Sequence, residues 1–357
     1  SPPPAGDKPR WLGGELKEKI ILLHSEGGLG DEMINVRFAT DIAARGARVL
    51  VSCHPTLKSL FSRVKGVEKV VAHNELKPEM YDEWLPAMSA ALSLGHTFET
   101  LPNQSYLSAR SDLVEKWQKV ISAPTGVLKV GLRWAGNPQF EHEQFRQFPP
   151  EPLFELANLQ GVKLFSLQRD HALRALPPAI TDLQSRLTDW EETAAVIANL
   201  DLVITSCTSV AHLAAALGKE TWVIVPIMPY YVWATPSDTS SWYQTVRLFR
   251  QDREADWQKP FADLKTALQS KLGHTTMRLS MTTAPVATHK KTLHFMAGLP
   301  RSGSTLLVSL LSQNPEIAGA PVSGLCGIVN GVNTNWDKIE FHQEVPNARA
   351  KRDTLRA

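Results

Sequence analysis

Residues 201–219, DLVITSCTSVAHLAAALGK, carry the most informative pattern in this chain. The apolar run LVI near their start is short enough for a buried parallel strand. A small polar turn follows at 206–209, and the Ala- and Leu-rich segment 210–217 favours a helix, which the next glycine ends. A second apolar run at 221–225 predicts another strand. The pattern is therefore strand, hydroxyl-rich turn, helix and strand.

This polar turn has the chemistry of a phosphate site. Backbone N–H groups at a helix N-terminus bind anions, and the hydroxyls of Thr208 and Ser209 add further donors. His212 comes four residues after Thr208, so both side chains can face one ligand. The same residues also fit a simple helix start, with Thr208 or Ser209 as the N-cap and His212 as a packed helix residue.

The N-terminal part of the chain has another strand-to-helix turn. The strand KIILLH ends at His24 and is followed at once by the glycine-rich segment SEGGLGD at 25–31. Glycines allow a ligand to approach the backbone closely, but their spacing here is not that of a dinucleotide site. The elements around this turn predict a doubly wound α/β unit, with strands at 19–24, 47–53 and 67–72 and helices at 33–44 and 55–64.

A second α/β unit begins at Val127, after a short Pro- and Gly-containing linker. Its first strand, VLKVGLRW, leads into the turn AGNP and then into a polar and aromatic loop that contains Arg146. The sequence thus predicts an α/β protein with two Rossmann-like lobes. The second lobe also contains a strand at 162–167, the pattern at 201–219 and a closing amphipathic helix at 256–272.

The composition is that of an ordinary globular protein. The 357 residues have a net charge of +2, with 43% hydrophobic and 21% charged residues, so charge indicates neither a nucleic-acid nor a membrane partner. No apolar run is long enough to span a bilayer, and no signal peptide opens the chain. Three well-separated cysteines suit a reducing, cytoplasmic compartment and give no metal-ligand spacing: Cys53, Cys207 and Cys326.

The two ends of the predicted lobe pair are polar. Residues 1–18, which begin SPPPAGDKPRW, are Pro-rich and are predicted to be a linker. Because the chain has no initiator Met, we expect an upstream region such as a set of helical repeats. Residues 273–290 lack apolar periodicity and are predicted to be a second linker.

The order of motifs between Trp11 and Leu272 resembles that of bacterial GT-B glycosyltransferases. The resemblance is to the glycosyltransferase domain found after tetratricopeptide repeats, which is related to the heptosyltransferases. Thr208 and His212 keep the pattern of the family's nucleotide-sugar site, whereas Cys207 replaces the family's Asp. The resemblance implies upstream tetratricopeptide repeats, an acceptor lobe at 19–122 and a nucleotide-sugar lobe at 127–272.

The implied activity is transfer of a sugar from a nucleotide-diphosphate sugar to an acceptor hydroxyl, with inversion and without a metal or other cofactor. Asp31 is the implied general base, with Glu26 as the second candidate, because a carboxylate at the cleft deprotonates the attacking hydroxyl. Arg146 is implied to neutralise the diphosphate leaving group. The acceptor would be a glycan, a lipid-linked molecule or a protein. The residues implied to bind substrate are Gly28, Gly30, Arg146, Gln168, Thr193, Cys207, Thr208, Ser209 and His212.

The candidate residues also have simpler interpretations. Asp31 fits a first-turn helix acid, Glu26 a solvated loop acid and Arg146 a solvated surface residue. The loop at Arg146 matches the family in part, since Gln147 and Glu143 replace the family's Ser and Asp. If Cys207 marks lost chemistry, the chain is instead a catalytically weakened module that binds glycans or nucleotides.

The C-terminal part of the chain has a different motif. A predicted strand at 292–297 leads into GLPRSGST and a helix, an arrangement that binds phosphate but lacks the ending of a Walker A loop. It resembles the 5'-phosphosulfate loop of sulfotransferases that use PAPS (3'-phosphoadenosine-5'-phosphosulfate). The matching residues are Arg301, Ser302, Gly303, Ser304 and Thr305.

This second resemblance implies a truncated sulfotransferase-like segment at 291–357, with a partial P-loop-like βα unit. About 65 residues cannot build such a core alone, so we expect no sulfotransferase activity from this segment. The remaining alternative is a glycosyltransferase–sulfotransferase fusion, in which PAPS would serve the complete second domain.

Overall fold

A computed structural model describes residues 4–140, 143–169 and 176–283 of the protein. All of them belong to one compact unit that ends at Ala284. The predicted sulfotransferase-like segment, with the loop residues 301–305, lies outside the described residues.

The first lobe is built on a parallel sheet. Its elements in chain order are β1 (Ile20–His24), α1 (Leu29–Asn35), α2 (Phe38–Ala44), β2 (Arg48–Cys53), α3 (Lys58–Phe61), β3 (Val67–Ala72), β4 (Glu83–Pro86), α4 (Ala90–Ser93) and α5 (Ser111–Gln118). The four strands lie in the order β3-β2-β1-β4 and are all parallel. Because the strand order reverses at β1, a crevice opens at the carboxyl ends of β1 and β4.

The second lobe has a seven-stranded sheet in the described residues. Its elements are β5 (Leu128–Arg133), α6 (Glu143–Arg146), α7 (Glu151–Phe154), β6 (Val162–Ser166), β7 (Ile180–Asp182), α8 (Trp190–Asn199), β8 (Leu202–Ser206), α9 (Ser209–Ala216), β9 (Thr221–Val225), β10 (Thr239–Ser240), β11 (Tyr243–Arg250) and α10 (Gln258–Thr283). The strand order is β10-β11-β9-β8-β5-β6-β7, with β10 antiparallel to β11 and the other pairs parallel. The α/β architecture with parallel sheets agrees with the sequence-based prediction.

The pattern at 201–219 folds as predicted. Every residue of β8 and β9 is buried, as expected for central parallel strands covered on both faces. The helix α9 between them packs against α1 of the first lobe. Met33 of α1 and Val210 of α9 accordingly belong to the same hydrophobic core, so that core extends through both lobes.

The predicted helix at 33–44 is divided into α1 and α2. Arg37, at the break, is buried, and its Nε donates to the carbonyl of Ile34 at 2.7 Å. That carbonyl is the one that a continuous helix would offer to the N–H of Phe38. A side chain inserted into the helical ladder is a common cause of such a break.

The structure also differs from the two predicted linkers. Trp11 and Leu16, inside the predicted linker 1–18, are buried in the core, and the Trp11 N–H donates to the Trp84 carbonyl at 2.8 Å. Large apolar side chains outweigh the Pro-rich composition of this segment. At the other end, α10 continues to Thr283 and so occupies the first part of the predicted linker 273–290. No helix in the described ranges is both long and apolar enough to cross a bilayer.

Candidate active site

The strand order of the second sheet reverses at β5, which lies between β6 and β8. A crevice therefore opens at the carboxyl ends of β5 and β8, where ligands of such sheets bind. The loop after β5 carries Gly136 and Arg146, and the turn after β8 carries Cys207, Thr208 and Ser209. The fold thus brings two of the predicted motifs together in one crevice.

Arg146 has a defined orientation in this crevice. Its Nε pairs with the buried carboxylate of Glu143, and its Nη1 donates to the backbone carbonyl of Cys207, 61 positions away in sequence. The guanidinium also lies 4.5 Å from the centre of the Phe140 ring. The cation is therefore held at the turn that leads into α9, where the helix dipole also favours an anion.

Gly136 provides the space for this arrangement. Its N–H donates to Oε1 of Glu143 at 2.8 Å, while a Cβ at this position would overlap Nη2 of Arg146. We expect Gly136→Ala to displace the guanidinium and to weaken nucleoside-diphosphate binding by about 10-fold, because a charge-assisted contact is lost. Isothermal titration calorimetry measures the change.

The matched control for this substitution is Gly14→Ala, since a Cβ at that position meets no atom within 4 Å. It should leave nucleotide affinity unchanged. If Gly136→Ala binds as tightly as the wild type, the position of Arg146 is not what determines affinity.

The first turn of α9 has no side-chain cap. Thr208 is the N-cap residue, but its hydroxyl lies 3.3 Å from that of Thr205 and makes no bond to the helix. The Thr208 N–H donates to the Ser206 carbonyl at 2.7 Å. The Ala211 N–H donates to the Thr208 carbonyl at 2.9 Å, so the N–H groups of Ser209 and Val210 are the ones left for water or an anion, as at the helix starts that bind phosphate.

Asp31 lies in the crevice of the first lobe, in the first turn of α1. Its Oδ2 accepts a hydrogen bond from the Gly28 N–H at 2.9 Å, and its Oδ1 accepts one from the Tyr230 hydroxyl at 2.5 Å. Gly27 has a φ of 81°, and a Cβ there would lie 2.6 Å from Oδ2 of Asp31. The glycine-rich turn is therefore required by both its backbone conformation and the close carboxylate.

The two lobes meet at Gly30. A Cβ at Gly30 would lie 3.1 Å from Cδ2 of His212 and 3.7 Å from Oγ of Ser209. Because Gly30 has no side chain, the start of α1 can contact the start of α9. This contact packs the first turn of α1, which carries Asp31, against the first turn of α9.

Arg37 joins the same two lobes. Its Nη1 donates to the carbonyls of Pro102 and Trp242, at 2.9 and 2.5 Å, and its Nη2 donates to the hydroxyl of Tyr106 at 3.0 Å. Its guanidinium also lies 4.5 Å from the centre of the Tyr243 ring. A buried arginine with these partners stabilises the lobe junction.

His212 is placed differently from its predicted role as a ligand contact. It is buried, its ring is stacked on Trp233 with centres 5.1 Å apart, and its Nδ1 lies 3.2 Å from the Tyr243 hydroxyl. Burial, together with the nearby cations Arg37 and Arg146, lowers the His212 pKa to about 3. The imidazole is therefore neutral at neutral pH and adds no positive charge for a phosphate.

The buried imidazole makes the protein sensitive to acid. The unfolded chain binds a proton at this histidine below about pH 6.5, whereas the folded protein does so only near pH 3. Stability should therefore fall as the pH drops through this window, by about 2 kcal/mol between pH 6.5 and pH 5 from His212 alone. Urea unfolding at the two pH values measures the loss.

His212→Gln removes the titrating group and is the comparison for this prediction. The variant should lose less stability than the wild type over the same pH interval. His24, whose pKa burial and His73 lower to about 4, contributes equally to both proteins. Equal losses in the two proteins would contradict the assignment to His212.

Three other predicted substrate contacts are bonded within the protein. Gln168 is buried, and its Oε1 accepts from the N–H groups of Trp134 and Ala135 at 3.3 and 3.2 Å. The Thr193 hydroxyl donates to the Asp189 carbonyl at 2.8 Å inside α8. These two side chains thus hold strand ends and a helix start in place.

Cys207 is the third of these residues. Its thiol belongs to the hydrophobic core and lies 3.5 Å from the Ile224 carbonyl. Burial raises the thiol pKa to about 12, so the sulfur is uncharged. The part of Cys207 that faces the crevice is its backbone carbonyl, which Arg146 binds.

Among the other candidates, Glu26 is half-buried in the glycine-rich turn. Sequence reasoning missed the partner roles of Tyr230, Glu143 and Arg37. The aromatic run PYYVW at 229–233 is a usable signal for Tyr230. Nothing in the sequence marks Arg37 as an interlobe contact. In the described ranges, no group of three or more His, Cys, Asp or Glu side chains could hold a metal ion.

Two solved glycosyltransferase structures superpose on this architecture. The glycosyl transferase family 9 protein of Veillonella parvula superposes with a TM-score of 0.54 at 10% identity, covering 74% of this chain and 99% of that one. The ADP-heptose LPS heptosyltransferase II of E. coli superposes with a TM-score of 0.51 at 15% identity, covering 73% and 99%. The chain has the GT-B fold.

Sequence comparison adds a distant relative. The protein FlbA of Caulobacter vibrioides is 26% identical over 288 residues, which represent 73% of this chain and 48% of FlbA. The chain thus spans about half the length of the curated relative it matches. No family model matches the chain.

Proposed function

We propose that this GT-B chain transfers a sugar from a nucleotide-diphosphate sugar to an acceptor hydroxyl. The observation that supports the proposal is the convergence of two groups across the lobe junction. Asp31 lies at the first-lobe crevice, and Arg146 lies at the uncapped start of α9 in the second. The contact of Gly30 with Ser209 brings the two crevices together.

In this proposal the second lobe binds the donor. The diphosphate lies at the start of α9, where the N–H groups of Ser209 and Val210 and the Ser209 hydroxyl donate to its oxygens. Arg146 adds a cation that is already oriented by Glu143 and by the Cys207 carbonyl. An oriented cation stabilises the charge that develops on the leaving diphosphate without reorganising during the reaction.

The first lobe supplies the base. Asp31 removes the proton of the acceptor hydroxyl as the acceptor oxygen forms a bond to the anomeric carbon. The bond from that carbon to the distal phosphate oxygen breaks, and its electron pair leaves with the nucleoside diphosphate. A single displacement of this kind inverts the anomeric centre, and Arg146 with the helix dipole takes the charge-stabilising role that a metal has in other transferases.

The alternative of a weakened binding module rests on Cys207. In the structure its thiol is in the core and the crevice meets only its backbone carbonyl. A backbone carbonyl is present whichever residue occupies the position. The replacement of the family's Asp by Cys207 therefore leaves the proposed base and the proposed cation in place.

A thermal-shift titration of the full chain tests the proposal. The ligands are ADP, GDP, UDP and 3'-phosphoadenosine-5'-phosphate, the last as a probe for the predicted PAPS loop. Because a ligand that binds only the folded state raises the melting temperature, we expect a shift with one nucleoside diphosphate. The sugar form of that nucleotide is then tested for turnover, beginning with ADP-heptose if ADP binds, since the E. coli neighbour is named for this donor. No shift with any nucleoside diphosphate would contradict the proposal.

A further inference from the structure

Tyr230 occupies the position at which the proposed base would meet an acceptor hydroxyl. Its O–H donates to Oδ1 of Asp31 at 2.5 Å, while Oδ2 is already bonded to the Gly28 N–H. A general base must lie within hydrogen-bond distance of the hydroxyl that it deprotonates. In this structure the hydroxyl at that distance belongs to the protein.

The Tyr230 hydroxyl is an unreactive occupant of this position. Burial and the negative charge of Asp31 both raise the Tyr230 pKa well above its ordinary value. The phenol therefore remains protonated and continues to donate its hydrogen bond. An acceptor hydroxyl is also a weak acid, but it loses its proton to Asp31 as its oxygen bonds to the anomeric carbon, and the phenol forms no such bond.

The segment that carries Tyr230 is exposed and anchored at both ends. We call residues 227–231 the tyrosine loop. At its start the Ile227 N–H donates to Gln251 Oε1 at 3.0 Å, and after its end the buried Trp233 stacks on His212. Between these anchors Met228 is 66% exposed and Tyr230 is 38% exposed. Tyr231, at the end of the loop, packs on Trp242 with ring centres 5.5 Å apart, whereas few buried contacts oppose a movement of the exposed tip at Met228.

We propose that Tyr230 determines the choice of acceptor over water by occupying Asp31 until an acceptor displaces it. The inference rests on the function proposed above. A water molecule offers a single small donor and no further contact with which to displace the phenol. An acceptor that carries its hydroxyl on a larger body gains additional contacts with the crevice, and these offset the lost Tyr230–Asp31 bond.

The reaction that Tyr230 suppresses is hydrolysis of the donor. With water in place of the acceptor, the water oxygen bonds to the anomeric carbon and its proton passes to Asp31. The bond to the distal phosphate breaks and the nucleoside diphosphate leaves, so the free sugar is released. Keeping Asp31 occupied limits this loss while the donor waits for its acceptor.

The first test needs no substrate. Amide hydrogen exchange of the tyrosine loop is compared in the wild type, Tyr230→Phe, Asp31→Ala and the double variant. Each single substitution should speed exchange in the loop on the order of 10-fold, because a hydrogen bond to a charged group is lost. The double variant should be no faster than either single one, since both remove the same bond.

The matched control is Tyr81→Phe, which removes the hydroxyl that donates to the Ala5 carbonyl at 2.5 Å in the first lobe. It should leave exchange in the tyrosine loop unchanged. Additive effects of Tyr230→Phe and Asp31→Ala, or no effect of either, would overturn the proposed contact.

The second test uses the donor sugar identified by the turnover assay. Tyr230→Phe should hydrolyse this donor roughly 10-fold faster than the wild type in the absence of acceptor, and its acceptor KM should fall while kcat for transfer is retained. Tyr81→Phe should resemble the wild type. Unchanged hydrolysis, or a fall in transfer kcat, would overturn the inference. If the wild type turns over no donor, the proposed function fails. The exchange experiment still tests whether the hydrogen bond between Tyr230 and Asp31 holds the tyrosine loop.

Discussion

Asp31→Asn is expected to lower kcat for sugar transfer by about 1000-fold, because the amide cannot accept the acceptor's proton. In the wild type the Gly28 N–H and the Tyr230 hydroxyl donate to different oxygens of the carboxylate. In the variant the amide oxygen can accept from the Gly28 N–H, and the amide NH2 can donate to the Tyr230 hydroxyl oxygen. The geometry of the glycine-rich turn should therefore survive. Donor affinity should remain that of the wild type, since the proposed donor site lies on the second lobe. Steady-state transfer assays and nucleotide titrations separate the two effects.

The control for the loss of a carboxylate is Asp112→Asn. Asp112 is exposed in α5 and pairs with Arg110 at 2.6 Å. This variant should transfer sugar at the wild-type rate. If Asp31→Asn also keeps the wild-type kcat, Asp31 is not the base, and Glu26→Gln becomes the substitution to test.

The second large effect is expected for Arg146→Ala. The substitution removes the cation at the start of α9 and leaves the buried carboxylate of Glu143 with the Gly136 N–H but without its cationic partner. We expect kcat/KM to fall on the order of 100- to 1000-fold, because a fixed donor to the leaving diphosphate is lost. Nucleoside-diphosphate binding should weaken as well. Arg146→Lys should recover little, since an ammonium cannot reproduce the two directed bonds to Glu143 and Cys207.

Arg48→Ala is the matched control for Arg146→Ala. Arg48 also pairs with a carboxylate, that of Glu68 at 2.5 Å, but both side chains are about half exposed on the first lobe. Its loss should change neither kcat/KM nor nucleotide affinity, as is usual for an exposed ion pair. A variant at Arg146 that retains wild-type kcat/KM would mean that the helix start alone stabilises the leaving group.

Local patterns in the sequence determined most of the fold. The strand–turn–helix–strand pattern that begins at 201–219 corresponds to β8, α9 and β9. It could be predicted because short apolar runs indicate buried strands and Ala-rich segments favour helices. The turn before Asp31 could also be predicted from its glycines, because a positive φ, as at Gly27, favours glycine. The order of such motifs along the chain led to the GT-B fold.

The tertiary structure decided which of the candidate side chains reach the crevices. His212, Gln168 and Cys207 were predicted to contact a ligand, but packing directs them into the protein, where burial keeps the imidazole and the thiol uncharged. Their direction depends on partners such as Trp233, far away in sequence. No local pattern encodes such a contact.

The same reason explains the residues that the sequence did not reveal. Tyr230 bonds to Asp31 across 199 positions, and Arg37 bonds to the carbonyl of Trp242 across 205. Each contact joins the two lobes, which pack on each other where α1 meets α9 at Gly30. The sequence by itself determined the two α/β units and their polar turns. The packing of α1 on α9 decided which turn residues meet, because only side-chain packing between the lobes sets those distances.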